Sequence, residues 1–186
     1  KGLTEFGIEM IQEMERLGMI VDVSHLSDGG FWDVLHHTTQ PFVASHSDAA
    51  SECNVCRNLT DDMIRALADR GGVMGLNYCH DFLTESDKPT ALSADTSLFM
   101  DAGKQKKKIS RMEDMVRHIK HIVNIGGIEV CGLGSDFDGI NNPVEFGNAS
   151  GIQQLYEALI KSGFSEDDAD KIFYKNVLRV YQDVLK

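Results

Sequence analysis

The chain has 186 residues, 42% of them hydrophobic, and its eighteen Lys and Arg against twenty-nine Asp and Glu leave a net charge of −11. That length and apolar content suit one folded domain or a large part of one and exclude a disordered chain. The acidic balance argues against nucleic acid or an anionic membrane as the main partner, and a small substrate or a metal ion fits better.

Residues 4–17, TEFGIEMIQEMERL, set Phe6, Ile8, Met10, Ile11, Met14 and Leu17 close to a 3.6-residue period behind Thr4, a good N-cap, and Gly18 ends the helix. Residues 19–23 (MIVDV) follow as a strand, 27–37 as a helix and 41–45 (PFVAS) as a second strand. The loop HSDAASECNVCRN leads to a helix capped by Thr60 and then to a third strand over 72–78, GVMGLNY. Residues 80–108 are a longer polar stretch, the candidate insertion or lid; its basic run Lys104-Gln-Lys-Lys-Lys108 reads as a solvated loop. A helix over 110–125 precedes a fourth strand over 129–136, EVCGLGSD, and helices near 151–162, 166–174 and 176–185 close the chain. No run approaches the roughly 18 apolar residues that a bilayer-spanning helix requires.

Four cysteines are too few for a disulfide framework at this length. Cys53-Asn-Val-Cys56 has CxxC spacing, but no second CxxC and no thioredoxin-like βαβ context accompany it, so it is not read as a metal or redox site. Cys79 and Cys131 lie in apolar runs and read as core thiols. The pattern leans the compartment toward the cytoplasm. The chain opens on Lys1-Gly2 rather than on methionine, so the want of a leader pattern says little about the parent protein.

Helices alternating with nearly continuous apolar strands imply a parallel sheet covered on both faces and joined by right-handed crossovers. Two α/β architectures satisfy this, a doubly wound open sheet or part of a (β/α)8 barrel, and in both the ligand sits at the carboxyl ends of the strands. Those ends carry His25, then His46, then Asn77, Tyr78 and His80, then Asp136 and Asp138 of GSDFDG. A lone histidine at a strand tip is ordinary. Two at matching places are different, because parallel neighbours lie about 4.8 Å apart and two imidazoles there can share one metal ion, zinc suiting them well and manganese or iron remaining open. Asp136, first past its strand after Gly134-Ser135, is a candidate ligand or proton acceptor, and Asp138 is read as a turn cap. Arg57, in the loop after His46, is a candidate clamp for a substrate carboxylate. An open sheet using Asp136 for phosphate or Mg²⁺ is disfavoured by the lack of a Gly-rich phosphate loop.

The stretches GLTEFGIEMIQEMERLGMIVDVSH, PFVASHSDAASECNVCRNLTDDMIRALADRGGVMGLNY, GLGSDFDGI and NVLRVYQDVL together resemble the membrane (renal) dipeptidases and their bacterial relatives, peptidase family M19, from Gly2 nearly to the last residue. The resemblance implies a (β/α)8 barrel of the metal-dependent amidohydrolase type with a binuclear zinc centre, hydrolysing dipeptides, some with a carboxyl-terminal D-residue. It implies that His25 and His46 bind the second zinc, that Arg57 grips the substrate carboxylate, that Asp136 takes part in proton transfer, and that Asn77 and Tyr78 line the pocket. The family's H-x-D ligands to the first zinc, its bridging glutamate and a substrate-contacting histidine have no counterpart here. His46-Ser-Asp48 fits H-x-D by letters, but His46 is already matched to the second zinc, so Asp48 is read as a loop residue.

The chain is therefore expected to be strands five to eight with their helices, one barrel domain's carboxyl-terminal part over residues 1–186. Such a half barrel has open sheet edges and an exposed inner face. It is expected to form a homo-oligomer, to pair with its missing amino-terminal half, or to be a fragment of an intact enzyme. The alternative to the dipeptidase reading is a non-catalytic assembly module with at most one weak metal site.

Overall fold

The structure, a computed structural model, describes residues 1–84, 108–141 and 143–185. Most of the expected insertion, 85–107, lies outside the described residues, with all of its basic run except Lys108. Lys108 itself pairs with Asp81.

Local signals set the first helices. Thr4, Ser27 and Thr60 each accept a backbone amide from three residues on, capping α1 (Glu5–Leu17), α2 (Asp28–His37) and α3 (Asp61–Asp69). Gly18 takes the left-handed conformation, φ 74°, that closes α1. Three strands, β1 (Val43–Ala44), β2 (Val73–Leu76) and β3 (Cys131–Leu133), pair in parallel in the order β1-β2-β3. Between β2 and β3 lie α4 (His80–Leu83) and α5 (Met112–Gly126). After β3 come α6 (Gln153–Lys161), α7 (Glu166–Asp170), a π-helical turn over Lys171–Lys175, and α8 (Asn176–Val184).

All four expected strands are shorter than the runs that announced them, and two of them differ most. Residues 19–23 pair with β1 through the Val23 and Val43 amides, yet form a single bridge, Asp22 with Val43. The ladder stops where the Asp22 carboxylate takes the Ser45 amide, the next donor from the β1 side, and holds the Ser24 amide as well. The run expected as a strand from 129 begins instead with a 3₁₀ turn, Ile128–Val130.

The main core joins Ile11 of α1, Phe31 and Val34 of α2, Met63, Ile64 and Leu67 of α3, Met115, Ile119 and Ile122 of α5, and Leu155 and Leu159 of α6 to Ala44, Met74, Leu76 and Cys131 of the sheet. A smaller cluster sets Val180 and Val184 of α8 against Val73. Asn176 fixes α8 by donating to the Ile128 and Cys131 carbonyls at 2.8 and 2.7 Å, and Arg179 by donating to those of Gly71 and Glu129. Apolar stripes stay exposed on both terminal helices: Phe6, Met10 and Leu17 on α1, and Leu178 and Tyr181, flanked by Tyr174 and Leu185, on α8. Among the described residues no helix is long and apolar enough to cross a membrane.

Candidate active site

His25 and His46 stand where their strands end, and their Nε2 atoms approach to 2.8 Å with ring centroids 4.9 Å apart. The strand tips are tied together behind them. Ser24 Oγ accepts the His46 amide at 2.8 Å, and the Ser24 carbonyl accepts Arg57 Nε at 2.9 Å. Burial lowers the His25 pKa, helped by the charges of Arg57 and His46 and opposed by those of Asp136 and Asp22. All four groups thus lie within electrostatic reach of one imidazole.

Asp136 is the one non-glycine residue with positive φ, 57°, among the described residues. Aspartate tolerates this left-handed state better than most side chains, at a cost of about 1–2 kcal/mol. The turn it makes is completed by the Gly139 amide donating to its carbonyl at 2.9 Å, and a Cβ on Gly139 would fall 2.1 Å from Asp136 Oδ1. Asn77 holds the carboxylate from the side, Nδ2 donating to Asp136 Oδ2 at 3.1 Å and to the His46 carbonyl at 3.4 Å. Asp138, two residues on, is exposed.

Asn77 and Tyr78, expected on the pocket lining, have no exposed surface. Asn77 is fully engaged: its amide donates to Asp48 Oδ1 and its Oδ1 accepts the Cys79 amide at 2.7 Å. The Tyr78 ring packs edge-on against Phe137 and Phe146. His80 turns away on α4, its Nδ1 lying 2.9 Å from the Ile109 carbonyl.

The Arg57 guanidinium is half-buried, 5.3 Å from the Phe82 ring centroid, with Nη2 buried and without a hydrogen-bond partner. Beneath it is Asp48, a loop residue as expected, but one with a structural task. Its Oδ1 takes the Asn77 amide, its Oδ2 has no hydrogen-bond partner, and burial raises its pKa well above the usual carboxylate range. Cys53, Cys79 and Cys131 are buried and Cys56 is exposed; burial pushes the Cys131 thiol up to about 12.

Residues that the sequence reading did not single out hold this arrangement. Asp22 gathers the Ser24 and Ser45 amides, Asn58 donates to the Cys53 and Phe82 carbonyls, and His118 of α5 accepts the Ala49 amide. Asp22 had a signal, a carboxylate inside an otherwise apolar strand run. Among the described residues no group of three or more His, Cys, Asp or Glu side chains is arranged to hold a metal.

Comparison with known proteins gives the family. The model of the membrane dipeptidase family, peptidase family M19, matches residues 1–186. The chain belongs to that family. A Klebsiella pneumoniae protein described only by its place in the pqqA 5′ region is 40% identical over 98% of the chain, which spans 61% of that protein. An uncharacterized dipeptidase of Schizosaccharomyces pombe is 34% identical over 98% of the chain, which spans 40% of it. A Rhodobacter sphaeroides metallopeptidase, crystallised with a phosphinate mimic of the dipeptide L-Ala-D-Ala, superposes with a TM-score of 0.84 at 30% identity, covering 99% of this chain and 48% of that one. The three-stranded parallel sheet with its helices is thus the carboxyl-terminal part of an M19 barrel, and the chain spans about half the length of that solved M19 structure.

Proposed function

We propose that this chain carries half of the active site of a zinc-dependent dipeptidase that accepts dipeptides, including those ending in a D-residue. The observation that carries this reading is the pair of imidazoles brought Nε2 to Nε2 at adjacent strand tips. Nitrogens bound to one tetrahedral zinc lie roughly 3.3 Å apart, given zinc–nitrogen bonds near 2.05 Å; the observed 2.8 Å needs only a small separation of the rings to fit. His25 and His46 would hold one ion of a binuclear pair, with further ligands from the barrel's other half.

Zinc, when bound, supplies Lewis acidity that brings the pKa of water down to about 7. The chain's own residues do the rest. Asp136, pinned at Oδ2 by Asn77, holds a carboxylate ready to take a proton and return it to the leaving amine. Arg57, anchored through Nε to the Ser24 carbonyl, keeps one edge of its guanidinium for the substrate's terminal carboxylate. Asn77 and Tyr78 form the wall behind Asp136 and keep its strained turn in place. The exposed stripes of α1 and α8 support association with the complementary half or with a second copy.

Hydrolysis of a panel of L-L and L-D dipeptides, with zinc and the complementary half supplied, tests the reading. Activity that vanishes in His46→Ala is expected. Activity that persists in that variant would exclude a role for the pair. If the chain hydrolyses nothing even with its complement, the assembly-module reading takes its place.

A further inference from the structure

Asp22 has no part in the chemistry above, yet its two carboxylate oxygens are used differently. Oδ1 accepts the amides of Ser24 at 3.1 Å and Ser45 at 3.0 Å, while Oδ2 accepts the Ser45 hydroxyl at 2.5 Å. The Ser45 Oγ in turn lies 2.7 Å from His46 Nδ1. Burial works to raise the Asp22 pKa, but the Ser45 hydroxyl and the two amides outweigh it and hold the carboxyl below its ordinary value. An ionised carboxylate has only lone pairs to offer. The single Ser45 proton is therefore committed to Asp22, and the 2.7 Å contact is a hydrogen bond only if His46 Nδ1 carries the proton and donates it to Ser45 Oγ. Nε2 is then left with its lone pair, and Nε2 is the atom turned toward His25.

We infer that Asp22, acting through the Ser45 hydroxyl, is a positioning residue that fixes His46 in its Nδ1–H form and so presents the Nε2 lone pair at the shared site. The purpose of this device rests on the zinc reading above; its geometry does not. The same carboxylate, by gathering one amide from each strand tip, also sets how far apart His25 and His46 stand. An outer partner that fixes a ligand's tautomer typically changes metal affinity by roughly 10–100-fold when removed.

The isosteric change Asp22→Asn makes a sharp test. The asparagine carbonyl can keep the two amides at the Oδ1 position, which puts an N–H donor where Oδ2 faced Ser45. The Ser45 hydroxyl must then turn and donate to His46 Nδ1, forcing the proton onto Nε2. Two-bond ¹H–¹⁵N correlation spectra of the labelled 186-residue chain near pH 8, without zinc, read the tautomer directly. His46 is expected as Nδ1–H in the unmodified chain, as Nε2–H in Asp22→Asn, without fixed preference in Ser45→Ala, and again as Nδ1–H in Ser45→Thr. Zinc titration of the same samples is expected to show a roughly 10–100-fold loss in Asp22→Asn. An Nε2–H form of His46 in the unmodified chain, or an unchanged tautomer in both Asp22→Asn and Ser45→Ala, overturns the inference. Tautomer inversion with unchanged zinc affinity supports the relay and instead removes His46 from the zinc reading. Should Asp22→Asn fail to fold, the Ser45→Ala and Ser45→Thr pair decides alone.

Discussion

Acidification should loosen the loop that carries Arg57, and the group responsible is His118. Its side chain is fully buried on α5, where Nδ1 accepts the Ala49 amide at 3.2 Å and Nε2 lies 3.1 Å from the Leu83 carbonyl, so the neutral ring donates through Nε2 and accepts through Nδ1. Burial holds its pKa down to about 4, with Arg117 adding to the effect and the Leu83 carbonyl, Glu52 and Asp114 opposing it. An imidazole in the unfolded chain takes its proton near 6.5, before the folded one does. Stability is therefore undiminished above that value, falls as pH drops through the window between about 6.5 and 4, and reaches its full loss below. Near pH 4.5 the linkage amounts to about 2.5 kcal/mol, a large part of a small domain's stability. Urea unfolding of the chain and of His118→Gln at about pH 7.5 and about pH 4.5 isolates this group, because all others titrate in both proteins. The glutamine variant should start roughly 1 kcal/mol or more less stable, having lost one of the two hydrogen bonds, yet show a shallower decline with acid by about 2.5 kcal/mol. Parallel declines in the two proteins would refute the assignment.

In the assembled enzyme, Arg57→Ala should raise KM for free dipeptides far more than for carboxyl-amidated ones; an equal effect on both would remove its clamp role. Asn77→Ala should lower kcat by freeing Asp136, and should cost about 1–3 kcal/mol in urea unfolding, since it strips the Cys79 amide of its buried acceptor. A variant of unchanged kcat would confine Asn77 to the scaffold. Gly134→Ala should fail to fold to this arrangement, because a Cβ there would lie 1.7 Å from the Ser45 carbonyl oxygen. A soluble variant with the native near-ultraviolet dichroism would contradict that packing.

Much of the scaffold was legible because its signals are local. Thr4 and Thr60 announced helix starts through hydroxyls that reach amides three residues away, and Gly18 announced an end. The convergence of His25 and His46 was legible from topology, since equivalent places on adjacent parallel strands must meet. Strand lengths were not, because nothing in the apolar run 19–23 marks that the Asp22 carboxylate takes the Ser45 amide, the next donor of the ladder. The α7–α8 stretch was expected as two helices with a break near residue 175, and the π-helical turn Lys171–Lys175 lies at that junction. Asn77, which the resemblance places on the pocket lining, is buried and bonded to Asp48 and Asp136, 29 and 59 positions away, contacts that no local pattern in the sequence announces. Asp48 was hidden for the same reason, its task depending on a strand 29 residues further on.

Equilibrium zinc titration of the folded chain beside His25→Ala and His46→Ala decides whether the paired imidazoles hold a metal ion. The unmodified chain is expected to bind zinc, weakly for want of the other half's ligands, and either substitution to abolish that binding while leaving the fold intact. Zinc affinity that survives both substitutions would place the metal elsewhere and rule out the His25–His46 pair as its ligands.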